Sequence, residues 1–257
     1  MMNKENRFDL EGKKAIVTGG ARGLCFSIVE GLHEAGAEVL IIDLDVEGKI
    51  AAEKLSENGK KVHFLHGDLS QLDKIEVLFE KAQSLLDGEI DILVNGVGIQ
   101  YRCKAEEFPL DKWQKVIDIN LNSVFVLSQL VGRSMLDQGH GKIINIASMT
   151  SFFGSELVPA YAASKGAIAQ LTKALSNEWA HRGVTVNAIA PGYIETTLTA
   201  DMKAKNPKQY DEITSRIPMH RWGKPDDLKG IAIFLSGDMS SYISGAIIPV
   251  DGGYLGK

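Results

Sequence analysis

The chain has 257 residues, 44% apolar and 24% charged, with 28 basic against 33 acidic side chains and a formal net charge of −5. That balance excludes a disordered polyelectrolyte and a basic nucleic-acid footprint, and no apolar run approaches the roughly 18 residues of a membrane span. The charged N-terminal residues are followed by no apolar stretch, so no secretory signal is read and the cytoplasm is the expected compartment. Two cysteines, Cys25 and Cys103, supply no disulfide framework, and no Cys/His cluster has metal spacing.

Apolar, β-branched runs recur along the chain with helical stretches between them. Strands are predicted at Lys14–Gly19, Glu38–Asp43, Lys61–Gly67, Ile90–Asn95, Lys142–Ala147, Val184–Ala190 and Ala246–Val250. Most are continuously apolar, as strands buried on both faces are. Between the first two, Leu24, Ile28 and Leu32 repeat at helical spacing ahead of Gly36. Ser70 is placed to cap a helix after the third strand, and Pro225-Asp226-Asp227 opens a late one. The alternation predicts an α/β fold: one doubly wound Rossmann-type domain with a seven-stranded, mainly parallel sheet and helices on both faces. Residues 193–224 break the rhythm with a polar stretch lacking a strand, expected to be a substrate lid.

Between the first strand and helix lies Thr18-Gly19-Gly20-Ala21-Arg22-Gly23-Leu24-Cys25. Its glycines allow backbone to approach a pyrophosphate at the helix N-terminus. Asp43 closes the second strand, 24 residues after Gly19. It is placed to accept from a ribose 2′-hydroxyl and to repel a 2′-phosphate, or else is a solvated strand-end turn residue. Arg22 could pair with a 2′-phosphate or simply lie on the surface. With Leu44 following Asp43, the acid carries more weight, and NAD is favoured over NADP. Asp68, and Asn95 with Gly96 and Gly98, fall at later strand ends; helix capping and plain turn formation are the alternatives there.

Tyr161 and Lys165 stand four apart, on one face of a helix one turn from each other, and Ser148 ends the fifth strand. Together with Thr18-Gly19-xxx-Gly23, the Asn95–Gly98 turn, Asn120, Pro191-Gly192 and the terminal Val250-Asp-Gly-Gly253, this ordered set resembles the short-chain dehydrogenase/reductase family over essentially the whole chain. The resemblance implies a catalytic tetrad of Asn120, Ser148, Tyr161 and Lys165. Tyr161 would be the general acid/base, its pKa brought down by Lys165 and a bound nicotinamide cation. Ser148 would hold the substrate oxygen, Lys165 the nicotinamide ribose, and Asn120 a water. It also implies cofactor contacts from Gly19, Arg22, Gly23, Leu24, Asp43, Asp68, Leu69, Asn95, Gly96, Tyr161, Lys165, Pro191, Gly192, Ile194 and Thr196, and a homotetramer through the Tyr161 helix. Two departures stand out: Cys25 replaces the third glycine of the phosphate loop, and Gly96 replaces the second asparagine of an Asn-Asn-Ala-Gly turn.

Segments 141–149, 177–180, 187–193 and 216–223, with Ile99-Gln-Tyr-Arg102, resemble the family's sugar-acid branch, which takes in gluconate 5-dehydrogenase and 2-dehydro-3-deoxy-D-gluconate 5-dehydrogenase. A small-molecule substrate is implied, a six-carbon acid whose carboxylate calls for a cation. Arg102 comes first among Arg102, Arg216 and Arg221, with Ser148, Tyr161 and Tyr193 as substrate contacts and Glu156 and Met149 as pocket lining. Two other readings compete: an NADPH-dependent 3-oxoacyl carrier-protein reductase, and a dinucleotide-binding regulator without catalysis.

Overall fold

The computed structural model describes residues 8–57, 60–196 and 203–256. Seven strands form one all-parallel sheet: β1 (Lys14–Thr18), β2 (Glu38–Asp43), β3 (Val62–His66), β4 (Ile92–Asn95), β5 (Gly141–Ile146), β6 (Val184–Pro191) and β7 (Ile247–Val250), in the order β3-β2-β1-β4-β5-β6-β7. The expected doubly wound fold is what forms, with no antiparallel strand in the sheet.

Side-chain alternation explains the continuous apolar runs. Ala15, Val17, Val39, Ile41, Ile92 and Val94 pack beneath α1 (Gly23–Glu34) and α8 (Lys229–Ser236), while Ile16, Leu40, Ile42 and Leu93 face the other layer. That layer consists of α3 (Ile75–Leu85), α5 (Ser123–Gln138) and α6 (Pro159–Trp179). Strands covered on both faces are mostly apolar, and the polar side chains they do bury, such as Asn95 and Asn145, are hydrogen-bonded. The remaining helices are α2 (Gly48–Ser56), α4 (Leu110–Ile117) and α7 (Pro207–Arg216).

Parallel pairing aligns the strands' carboxyl ends. The register sets Thr18 beside Asn95 and Asn95 beside Asn145. The loops that leave these ends therefore share one crevice, where the outer strands diverge on either side of β1 and β4.

Two local expectations are corrected. Ser70 does not cap a helix; its backbone N–H and hydroxyl both donate to Asp68 Oδ1, at 2.9 and 2.7 Å, and a 3₁₀ turn at Leu72–Lys74 precedes α3. An Asx turn two residues earlier takes the place of the cap. The 193–224 stretch is not free of β pairing, because Ile194 and Gly223 form a parallel bridge at its base. The stretch also carries α7, and its residues 197–202 lie outside the described residues. On the Tyr161 helix, Ile168 and Leu175 are buried in the chain's own core. Trp179 packs against Gly132 of α5.

Candidate active site

The phosphate loop has the form its glycines require. Gly19 has φ +70°, and a Cβ there would lie 3.1 Å from the Val97 nitrogen; Gly23 has φ +62°. Both positions need a residue without a side chain. No side chain caps α1, leaving its N-terminal N–H groups for an external acceptor. Asp43 braces the loop, accepting from Ala21 N at 3.0 Å and Asp45 N at 2.9 Å. Arg22 is exposed and pairs with Asp45 at 3.1 Å, so the one cation of the loop is held by a second acid. These features fit a dinucleotide.

Other expected cofactor residues are spent differently. The Asn95 amide is 3% exposed and donates to Ser128 Oγ at 2.9 Å and Asn145 Oδ1 at 2.8 Å. It faces the core and leaves the crevice to backbone. Gly96 N donates to Thr18 Oγ1 at 3.0 Å, and the Gly96 carbonyl faces the Cys25 thiol. Asp68 is held below the ordinary carboxylate range by Gln71 and Ser70, partners from its own loop. Leu69 is buried, and Leu24 packs against the core, so each can offer only backbone. Gly192 N bonds the Val250 carbonyl at 2.9 Å, and Ile194 is buried at the bridge to Gly223.

The tetrad residues converge from three elements. Ser148 follows β5 and caps a short 3₁₀ turn, accepting from Thr150 N at 3.2 Å. Its hydroxyl acts on the Tyr161 phenol, drawing its pKa down. Tyr161 and Lys165 share α6, whose first residue is Pro159, and the Lys165 ammonium lies 5.8 Å from the Tyr161 ring centre. Asn120 sits in a π-helical turn, Asp118–Asn122, between α4 and α5. Such turns reorient single side chains at functional sites. Its amide is fully buried, exchanging hydrogen bonds with Ile99 in both directions and donating to Ser164 Oγ at 3.1 Å. Asn120 thus fixes the loop after β4.

The electrostatics differ from the expectation of a tyrosine brought down by its lysine. Burial pushes the Tyr161 phenol up, and the Ser148 hydrogen bond draws it only partly back. Lys165 is 4% exposed, donates to the Ile146 carbonyl at 2.5 Å, and is pulled down to about 8 by burial. The ammonium is turned toward the strand end rather than the phenol oxygen. Burial likewise pushes the Cys25 thiol up to about 12, which makes it inert at neutral pH.

A second group borders Ser148. Tyr193, after β6, packs against Trp222 and Tyr254, with ring centres 5.2 and 5.6 Å apart, and Phe153 lies 6.1 Å from Tyr254. Tyr254 and Trp222 escaped the sequence reading, since nothing local ties a residue at the C-terminal end to a loop a hundred positions earlier. Arg102 is exposed, on a loop pinned by Cys103 N to the Leu157 carbonyl at 2.8 Å, just before α6. Arg221 is removed from the candidates: it forks onto Asp227 at 2.7 and 3.0 Å. Met149 is buried and Glu156 exposed.

A glycine loop at a helix N-terminus beside a Ser–Tyr–Lys centre, at the carboxyl ends of a parallel sheet, defines an oxidoreductase that works with a nicotinamide dinucleotide. Residues 19–255 match the family model described as enoyl-(acyl carrier protein) reductase. The chain is 46% identical over 251 residues to a 2-dehydro-3-deoxy-D-gluconate 5-dehydrogenase of Bacillus subtilis strain 168, covering 97% of each. Among solved structures, it superposes on a putative NAD(P)-dependent gluconate 5-dehydrogenase from Beutenbergia cavernae with bound NADP at low occupancy (TM-score 0.93, 42% identity, 98% of this chain and 100% of that one). It also superposes on a gluconate 5-dehydrogenase from Burkholderia cenocepacia in complex with NADP and tartrate (TM-score 0.92, 36% identity, 98% of each). The chain belongs to the short-chain dehydrogenase/reductase family. Among the described residues, no helix is long and apolar enough to cross a membrane.

Proposed function

We propose that this protein interconverts a secondary alcohol and a ketone on a six-carbon sugar acid of the gluconate or 2-dehydro-3-deoxygluconate type, using NAD(H) in preference to NADP(H). The observation that carries the chemistry is the buried Tyr161 phenol, on which the Ser148 hydroxyl acts, with the Lys165 ammonium one helical turn away and 5.8 Å from the ring centre. The substrate class draws support from the sugar-acid names of relatives matched along nearly the whole chain.

The bound nicotinamide would supply the two-electron hydride acceptor or donor. Ser148 donates to the substrate oxygen and stabilises its developing charge, and Tyr161 exchanges the proton at that oxygen. Lys165, released from the Ile146 carbonyl, holds the nicotinamide ribose. The point where a Gly98 side chain would begin lies 3.5 Å from Lys165 Nζ and 3.6 Å from Asn120 Oδ1. That spacing suits a water between them, through which protons return from solvent. Gly19, Gly23 and the α1 N-terminus hold the pyrophosphate. Pro191, Gly192, Ile194 and Thr196 flank the nicotinamide.

Support for NAD comes from the two carboxylates at the β2 exit, Asp43 bracing Ala21 and Asp45 holding Arg22, which would repel a 2′-phosphate bound beside them. The two neighbours described above hold NADP, and the preference for NAD is read from Asp43 and Asp45 of this chain alone. Arg102 serves the substrate carboxylate, and the 193–224 insertion closes over the substrate. For a tetramer, α6 still offers exposed Ala174 and half-exposed Leu171, and light scattering tests it.

A matrix of NADH and NADPH against 5-keto-sugar acids and acyl thioesters tests the whole reading. Turnover of the sugar acids with NADH is expected. Activity on acyl thioesters alone would favour the carrier-protein reductase, and no activity on either would favour the regulator.

A further inference from the structure

Arg216 ends α7 inside the insertion, exposed to solvent, with its guanidinium 5.1 Å from the centre of the Tyr254 ring. A planar guanidinium seated over an aromatic face keeps its N–H edge free for a planar acceptor. Tyr254 in turn contacts Phe153, on the segment after β5 that also carries Ser148, and Tyr193, after β6. Arg102 arrives from the loop after β4. Both guanidinium groups act electrostatically on the Tyr193 phenol, although burial, the larger influence, keeps it above its ordinary value.

Neither arginine has an ion-pair partner among the described residues, whereas Arg22 and Arg221 are both paired with aspartates. Two unpaired cations around one phenol, each from a different loop, call for an anion between them.

The Arg216 position is also built. Ile217 is 1% exposed and Met219 N donates to the Gly252 carbonyl at 3.1 Å. Gly252 has φ +65°, and a Cβ there would lie 2.8 Å from Ile217 Cγ2. Asp251 accepts from Gly253 N and Leu255 N, both at 2.8 Å, and so fixes the turn that presents Tyr254. The C-terminal turn and the end of α7 are thereby locked into one wall.

We propose that Arg216, seated on Tyr254, is the second cation of the substrate pocket, binds the substrate carboxylate together with Arg102, and selects for acids over uncharged sugars. Tyr254 is its positioning residue. The inference rests on the sugar-acid reading above and assigns that reading a discriminating group on the insertion.

The test measures kcat and KM for 5-keto-D-gluconate and for its uncharged primary amide in the wild type, Arg216→Gln, Arg216→Lys, Tyr254→Leu and Tyr254→Phe, with dinucleotide binding as a folding control. Loss of one charge-assisted contact raises KM for the acid by roughly ten- to a hundredfold in Arg216→Gln, while KM for the amide stays put. Arg216→Lys recovers part of the loss, because a lysine cannot form the stacked fork. Tyr254→Leu loses acid preference severalfold and Tyr254→Phe restores it. An unchanged ratio of acid to amide in Arg216→Gln overturns the proposal while leaving the sugar-acid reading intact. A wild type that reduces only acyl thioesters overturns both.

Discussion

The Cys25 sulfur lies 3.7 Å from the carbonyl oxygen of Gly96, in the space that a side chain at position 96 would occupy. The two departures from the family pattern are therefore one event: the thiol fills what the missing asparagine leaves, and the phosphate loop stays in contact with the β4 exit. Introducing Gly96→Ala alone overpacks this contact, at a cost of about 1–3 kcal/mol. In Cys25→Gly/Gly96→Ala, part of that loss returns as a coupling energy of about 0.5–3 kcal/mol. The remainder persists because the Thr18 carbonyl also crowds the new methyl. Denaturant midpoints of the four proteins check it, and additive effects would disprove the coupling.

Tyr161→Phe should lower turnover by roughly 10²–10⁴ and leave dinucleotide binding, followed by nucleotide fluorescence, unchanged. Since burial raises the phenol's pKa, the phenolate needed for alcohol oxidation is scarce at neutral pH. The kcat/KM for oxidation should therefore climb between about pH 7 and 9, while ketone reduction, which uses the protonated phenol, shows no such climb.

Lys165→Met should abolish turnover and yet stabilise the unliganded fold at neutral pH. Folding pulls the ammonium down to about 8 from 10.5, so below that value the native state carries a buried charge at up to about 3 kcal/mol. Losing the bond to the Ile146 carbonyl offsets part of the gain. In the wild type the penalty is relieved as pH rises through 8 toward 10.5, because there the unfolded chain binds more protons. The melting-temperature advantage of the variant must therefore shrink across that window.

At the β2 exit, Asp43→Asn removes a charge while keeping one acceptor for the loop. The ratio of kcat/KM for NADPH over NADH should rise by roughly tenfold or more as the repulsion of a 2′-phosphate is lifted. A ratio identical to wild type would leave Asp43 as only the brace of Ala21.

Much of this was readable from residue types alone. Val17, Ile41 and Val94 announce a doubly covered sheet because burial on both faces favours continuous apolar runs, and Tyr161 and Lys165 announce a helix face because their spacing is one turn. What escaped depends on competition or on distance. Ser70 resembles a cap until Asp68 takes its N–H and hydroxyl first. The reach of Asn95 into the core depends on Ser128, 33 positions on, and the placement of Arg216 depends on a tail that no local pattern connects to α7.

Below the crevice, Asn95 bonds Ser128 and Asn145, Asn145 bonds Thr172, and Thr172 bonds the Ile168 carbonyl, all within 3.0 Å and all buried. A polar chain without a gap in a dry interior is stiff, since each member can move only by orphaning its neighbour. It joins the β4 exit to the helix that carries Tyr161, as a chassis joins two axles. Loops such as 193–224 can then diverge, lengthen or trade one acid for another while the reacting groups stay where they are, and new specificities can arise here by coachwork alone.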